Sequence, residues 1–167
     1  MRTIRTKVYQ FSELKTEQAK RKAIEVCNDY NVSYDWWESV YEDAANIGLK
    51  ITGFDIDRAS YCNGDFTLSA HEVAANIIRD HGEQCETNKT AQSFLDTVNE
   101  IQGKYEEMEG EDYENEMIEA EDEFLKSLLE DYRIMLSKEY DYLTSEDAII
   151  ETIEANEYEF KADGTRY

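Results

Sequence analysis

The chain has no proline and only seven glycines in 167 residues, which excludes long extended linkers. No apolar run approaches the ~18–20 residues of a membrane span. The opening MRTIRTKVYQF is positively charged but lacks the apolar stretch of a secretory signal. Cysteine is scarce. Cys27, Cys62 and Cys85 are odd in number and form no close pair, which fits a reduced cytosolic protein. The two histidines, His71 and His81, are neither three nor four residues apart, and no Glu-x-x-His, His-Glu-x-x-His or Cys-x-x-Cys occurs. A local zinc or dithiol motif is thereby excluded. No Gly-Lys-Ser/Thr follows Gly48 or Gly53, and no Gly-x-Ser-x-Gly is present, so phosphate loops and nucleophile elbows go as well. The expectation is a protein that is not an enzyme and holds no cofactor.

The most informative scarcity is positive charge. From Glu106 to Glu159 only Lys126, Arg133 and Lys138 face twenty-one acidic residues, a formal charge of −18 against −22 for the whole chain. Residues 1–104 carry 12 basic and 17 acidic side chains, a net of −5, and the last seven residues add +1. So polarised a chain does not bind nucleic acid directly, and it would be repelled by anionic membranes. The cluster Lys20, Arg21, Lys22 reads as one solvated helix face. Like charges also weaken a compact state, so their concentration calls for a use. A solvated face that only keeps the protein soluble would carry the same charge.

What is abundant is aromatic. Twelve Tyr, six Phe and two Trp, within 41% hydrophobic residues, can build a core, so the acidic segment is not a disordered tail. Residues 3–11 alternate as a strand through Ile4, Thr6 and Val8. Thr16 is placed to cap a helix with Ala19, Ala23, Val26, Cys27 and Tyr30 on one side. A second helix is expected over Tyr34–Ile47, stopped by Gly48. Its adjacent Trp36 and Trp37 point about 100° apart, which favours core packing for at least one and leaves a partner anchor as the alternative.

Leu49 to Leu68 reads as a β-hairpin turning at Asn63-Gly64, with Gly53 marking a bulge. Ser69 and Glu72 form a capping box for a short helix ending near Gly82. From about Lys89, Phe94, Val98, Ile101, Tyr105 and Met108 recur at helical spacing. After a step of five across Gly110, Tyr113, Met117, Ala120, Phe124, Leu128, Tyr132 and Met135 continue it. This predicts either a helix break near Glu109–Glu111 with antiparallel packing or one bent helix. Thr144 and Asp147 suit another helix cap, and Asp163-Gly164 a closing turn.

The expected fold class is α+β. One small antiparallel sheet, built from the N-terminal strand, the central hairpin and the C-terminal hairpin, carries helices on one face. The chain 1–167 reads as a single domain, with 88–140 an acidic helical hairpin or extension that protrudes. Asp55, Asp57, Asn63 and Asp65 could gather oxygen ligands for a cation, but the calcium-loop pattern fails, since Ser60 stands where glycine is required.

Eleven acids fall within Glu106–Glu123. They are Glu106, Glu107, Glu109, Glu111, Asp112 and Glu114, followed by Glu116, Glu119, Glu121, Asp122 and Glu123. As one helix this stretch would span about 27 Å, or one charge per about 2.5 Å. Duplex DNA carries one per ~1.7 Å. These residues are the expected partner-binding surface, aimed at the basic row of a nucleic-acid-binding protein, and Tyr105, Tyr113, Tyr132, Tyr140 and Tyr142 could add contacts.

The segments VYQFSELKTEQAKRKAIE, YDWWESVYEDAANIGLKITGFDIDRASYC and ANEYEFKADGTRY resemble a family of small acidic proteins encoded by phages and prophages, some labelled antitoxin-like. The resemblance implies a bacterial cytoplasmic setting and brings no catalytic residue with it. Together with the charge, it leads to the expectation of an inhibitor that mimics nucleic acid against a host defence protein of restriction or CRISPR type. An antitoxin-like neutraliser of a basic partner is the first alternative. A metal-dependent protein using the hairpin carboxylates is the second.

Overall fold

The computed structural model describes residues 6–105 and 110–167. The α+β class holds, with six α-helices and two separate two-stranded antiparallel sheets among the described residues. The chain divides into two compact units, one formed by residues 1–36 with 138–167 and the other by 37–137.

In the first unit, strand β1 (Tyr9–Gln10) pairs with β4 (Glu159–Phe160). Of the strand expected over 3–11, residues 3–5 lie outside the described residues, and only these two are paired. The chain then winds into a 3₁₀ turn at Phe11–Glu13 because Phe11 goes into the core. Helix α1 (Glu17–Cys27) begins where Thr16 predicts, its hydroxyl accepting the Ala19 N–H at 3.1 Å. Ala19, Ala23 and Cys27 form its buried stripe, while Val26 is exposed. They meet Leu14, Phe160 and, from helix α6 (Glu146–Ala155), Ile149 and Ile153. The α6 cap is Ser145, one residue later than expected, because the Thr144 hydroxyl donates back to the Tyr140 carbonyl.

The closing turn forms at Asp163-Gly164 as expected. The Gly164 N–H reaches the Lys161 carbonyl at 2.9 Å, and Lys22 pairs with Asp163 at 2.9 Å. Gly164 has φ +84, and a Cβ there would run into the Ala19 carbonyl of α1, so two constraints require glycine. The guanidinium of Arg166 lies 3.9 Å from the ring centre of Tyr158 and 4.9 Å from that of Tyr30.

In the second unit, helix α2 (Glu38–Ile47) starts four residues later than Tyr34. Asp35 sits at φ +25, outside helical space, and breaks the expected first turn. Gly48 ends α2 at φ +95, as the sequence indicates. Strands β2 (Leu49–Asp55) and β3 (Tyr61–Phe66) form the hairpin, and the register slips between Ile51 and Gly53, at the expected bulge. The turn, however, lies between Asp55 and Tyr61, and Asn63 and Gly64 are inside β3 opposite Gly53 and Ile51. Packing overrides turn propensity here. A Cβ on Gly64 would come within 2.5 Å of the Lys50 carbonyl and 3.1 Å of Leu129. Helix α3 (Ala70–Asp80) carries the expected capping box of Ser69 and Glu72.

Helices α4 (Glu86–Lys104) and α5 (Glu111–Leu143) settle the choice between hairpin and bent helix. Phe94 stacks on Phe124 with centroids 4.4 Å apart, the Thr90 hydroxyl donates to Asp131 at 2.7 Å, and Tyr105 meets Tyr113 edge-on. Early α4 therefore faces late α5, and late α4 faces early α5, which is antiparallel packing. The middle of α5 packs on the hairpin. Phe124 also lies against Phe66 of β3, and Leu129 covers Gly64. Nor is there one sheet among the described residues: β1 pairs with β4, whose Phe160 also bridges to Arg166 across the closing turn, and the central hairpin pairs with itself.

Candidate functional site

Helix α5 separates burial from charge. Phe124, Leu128, Tyr132 and Leu136, spaced four apart, are its buried line, and Leu136 takes the place expected of Met135. Glu111, Asp112, Glu114, Glu119, Asp122 and Glu123 are exposed, while Glu116 and Glu121 are half-buried. Glu106, Glu107 and Glu109 lie outside the described residues.

Glu116 differs from the other described residues of the expected partner-binding set in being used inside the fold. It pairs with Lys104 and accepts the Tyr105 hydroxyl at 3.0 Å, clasping the end of the α4–α5 pair at which the two helices connect. The Lys104 hydrogen bond holds its carboxyl below the usual glutamate range. Farther along α5, Glu130 accepts a two-pronged hydrogen bond from Arg133 at 2.7 and 2.6 Å. Asp131 is bound to Thr90, and burial pushes its carboxyl up. The net −18 of the segment thus overstates the charge offered outward.

The helical part of the acidic stretch begins at Glu111, not Glu106, so its linear density changes too. Thirteen residues to Glu123 cover about 20 Å, and their six exposed acids give one charge per about 3.3 Å. That is close to the ~3.4 Å spacing along one strand of DNA. At 100° per residue, Asp112, Glu119, Asp122 and Glu123 share the side opposite Phe124 and Leu128.

A polar cluster beneath α5 has no counterpart in the sequence reading. The Tyr132 hydroxyl donates to Asp43 at 2.7 Å, and His81 Nε2 stands 3.5 Å from the other oxygen of that carboxylate. His81 Nδ1 is 2.7 Å from the Thr87 hydroxyl, and the Asn88 side chain donates to the His81 carbonyl at 2.8 Å. Burial, then the bond to Asp43, pushes the Tyr132 phenol far above its usual range. A hydroxyl, an imidazole and a carboxylate in line are the parts of an activated nucleophile. Here Thr87 is only 3% exposed and Tyr132 0%, while the Asp43 side chain reaches solvent, and the cluster ties α2, α3, α4 and α5 together. Spacing rules passed over His81. A signal was present in Tyr132, since a tyrosine on a buried helix line needs a partner for its hydroxyl.

The hairpin carboxylates do not converge. Asp55 accepts the N–H of Asp57 at 2.7 Å, and among the described residues no three His, Cys, Asp or Glu side chains are grouped to hold a metal. Trp36 packs on Tyr140 at 5.4 Å and Trp37 on Phe54 at 5.7 Å. Cys27 and Cys62 are buried, and burial pushes the Cys62 thiol up to about 11. No described helix is long and apolar enough to cross a membrane. No protein-family model, curated protein or solved structure matches this chain.

Proposed function

We propose that the chain is an acidic interaction protein that inhibits a nucleic-acid-binding host defence protein, of restriction or CRISPR type, by occupying its nucleic-acid site. The observation that carries this reading is the acidic stretch Glu111–Glu123 of α5, whose six exposed carboxylates average one per about 3.3 Å along the axis, near the phosphate spacing of one DNA strand, with four of them on the side opposite the buried line. A rigid row favours mimicry over a flexible acidic tail, because little ordering entropy is lost on binding. Here Phe124, Leu128 and Tyr132 anchor the helix from below. The resemblance to phage-encoded proteins supplies the bacterial setting.

Capture of basic proteins from bacterial lysate at low and high salt, followed by displacement with duplex DNA, tests the proposal. Binding should fall steeply with salt, DNA should compete, and Glu119→Lys/Asp122→Lys/Glu123→Lys should abolish capture. Capture that ignores salt, DNA and the triple reversal would overturn it.

A further inference from the structure

Helices α4 and α5 leave a cleft above their stacked rings. Thr90, Ser93 and Thr97 follow one another at spacings of three and four along α4, and Ala120, Glu123 and Ser127 do the same along α5. Five of these six side chains are Ala, Ser or Thr, too short to close over Phe94 and Phe124, and a space of about 170 Å³ remains between the helices. A cavity of about 150 Å³ admits a benzene ring. All of its lining residues belong to the unit 37–137.

The walls of the cleft offer acceptors. The Thr90 hydroxyl gives its hydrogen to Asp131 at 2.7 Å, and the Thr97 hydroxyl gives its hydrogen to the Ser93 carbonyl at 3.0 Å. A hydroxyl has one hydrogen and two lone pairs, so both threonines have only lone pairs left for a guest. Glu123 adds an exposed carboxylate, and among the described residues no ion pair uses it. Of the outer acidic row, it is the member that lines the cleft. The antiparallel register sets Thr90 beside Asp131 and Phe94 beside Phe124, which brings Thr97 to the level of Glu123 across the gap. Phe94 and Phe124, both buried, give an apolar floor.

This surround selects a guest that carries donors, a positive charge and a face that tolerates apolar contact. A guanidinium meets all three conditions: it is planar, weakly hydrated, and has five N–H donors and no acceptor. An ammonium is a compact, strongly hydrated charge and loses more on leaving water. A neutral apolar guest would cover the Glu123 carboxylate without replacing its hydrogen bonds.

We infer that the cleft receives one arginine side chain of the basic partner protein, its guanidinium between Glu123 and Thr97 and its methylene stem on Phe94 and Phe124. The inference deepens the reading of α5 given above and rests on it. The outer row attracts a basic surface without choosing among its cations. The cleft chooses arginine and fixes where on the row it docks.

Two capped hexapeptides of equal charge, one alternating arginine and glycine and the other lysine and glycine, are the probes, with binding followed by NMR at low salt. The arginine peptide should bind about tenfold more tightly. It should shift the Thr97, Ala120 and Glu123 amides, while the lysine peptide should act chiefly on Asp112, Glu119 and Asp122. Ser93→Leu, which fills the cleft and leaves the charge alone, should cut the arginine advantage to less than about twofold. Thr97→Val, which keeps the shape and removes the acceptor, should weaken the arginine peptide alone by about threefold. Equal, salt-sensitive binding of the two peptides would overturn the cleft and leave the reading of α5 standing. So would an arginine advantage that survives both variants. Binding of neither peptide at low salt would overturn both.

Discussion

The two halves of α5 lie on one continuous helix and serve opposite ends. From Glu111 to Glu123 eight of thirteen residues are acidic and none is fully buried. From Phe124 to Leu136 four residues are fully buried, and both acids, Glu130 and Asp131, are bound to neighbours on the same or a facing helix. The second half supplies the packing energy that holds the first half rigid, and the first half supplies a field that the second could not tolerate near the core. A helix can carry this much like charge because repulsion along an exposed face is softened by water and salt, while burial of a few large apolar side chains gives several kcal/mol.

The contrast can be broken most severely from the buried half. Leu128→Ala should destabilise the fold by about 3 kcal/mol, measured by urea denaturation, because a fully buried leucine leaves a cavity. Tyr132→Phe should cost about 1–2 kcal/mol in the same assay, since Asp43 loses a buried donor while the ring still packs. The exposed half should behave otherwise. Glu119→Lys/Asp122→Lys/Glu123→Lys should change stability by no more than about 0.5 kcal/mol, as expected of surface positions. A large loss there would show that the outer row is structural.

The smallest effect sharpens the boundary at Glu116. Its carboxyl titrates lower in the folded chain than in the unfolded one, because Lys104 binds it. Its contribution is present above the usual glutamate range and is lost as pH falls through and below ~4.3. Asp131 has the opposite sign, since burial raises its folded value and proton uptake favours the folded chain. Unfolding followed from neutral to acid pH should therefore show a shallower decline for Glu116→Gln than for the parent chain. Identical slopes would mean that the Lys104 pair contributes nothing.

Local signals were legible where a short-range interaction decides the outcome. Thr16, the Ser69–Glu72 box, Gly48, Gly53 and Asp163-Gly164 all act within a few residues of themselves, and each stands where its chemistry indicates. Asn63-Gly64 misleads because the deciding contact is distant: Leu129 and the Lys50 carbonyl leave no room for a side chain at 64. The alternation of Cys62, Gly64 and Phe66 ran through the dipeptide and was the better guide. The separation into two small sheets could not be read from strand patterns, since it depends on which strands meet. The acidic row was visible as composition. That Glu116 belongs to the fold was not, because its partners, Lys104 and Tyr105, lie across a helix break.

The first unit draws on both stretches of chain that flank the second. Its Phe160 core, its β1–β4 pairing and the stack of Arg166 on Tyr158 and Tyr30 all join residues more than a hundred positions apart in the sequence or wait for its last few. During synthesis the segment 37–137 can leave the ribosome and close on itself while α1 still lacks its covering. The acidic surface of α5 would thus be finished first, and the Tyr30–Arg166–Tyr158 stack would be the last clasp to shut. Truncation just short of Arg166 should therefore leave residues 6–36 exposed to proteases while 37–137 stays resistant.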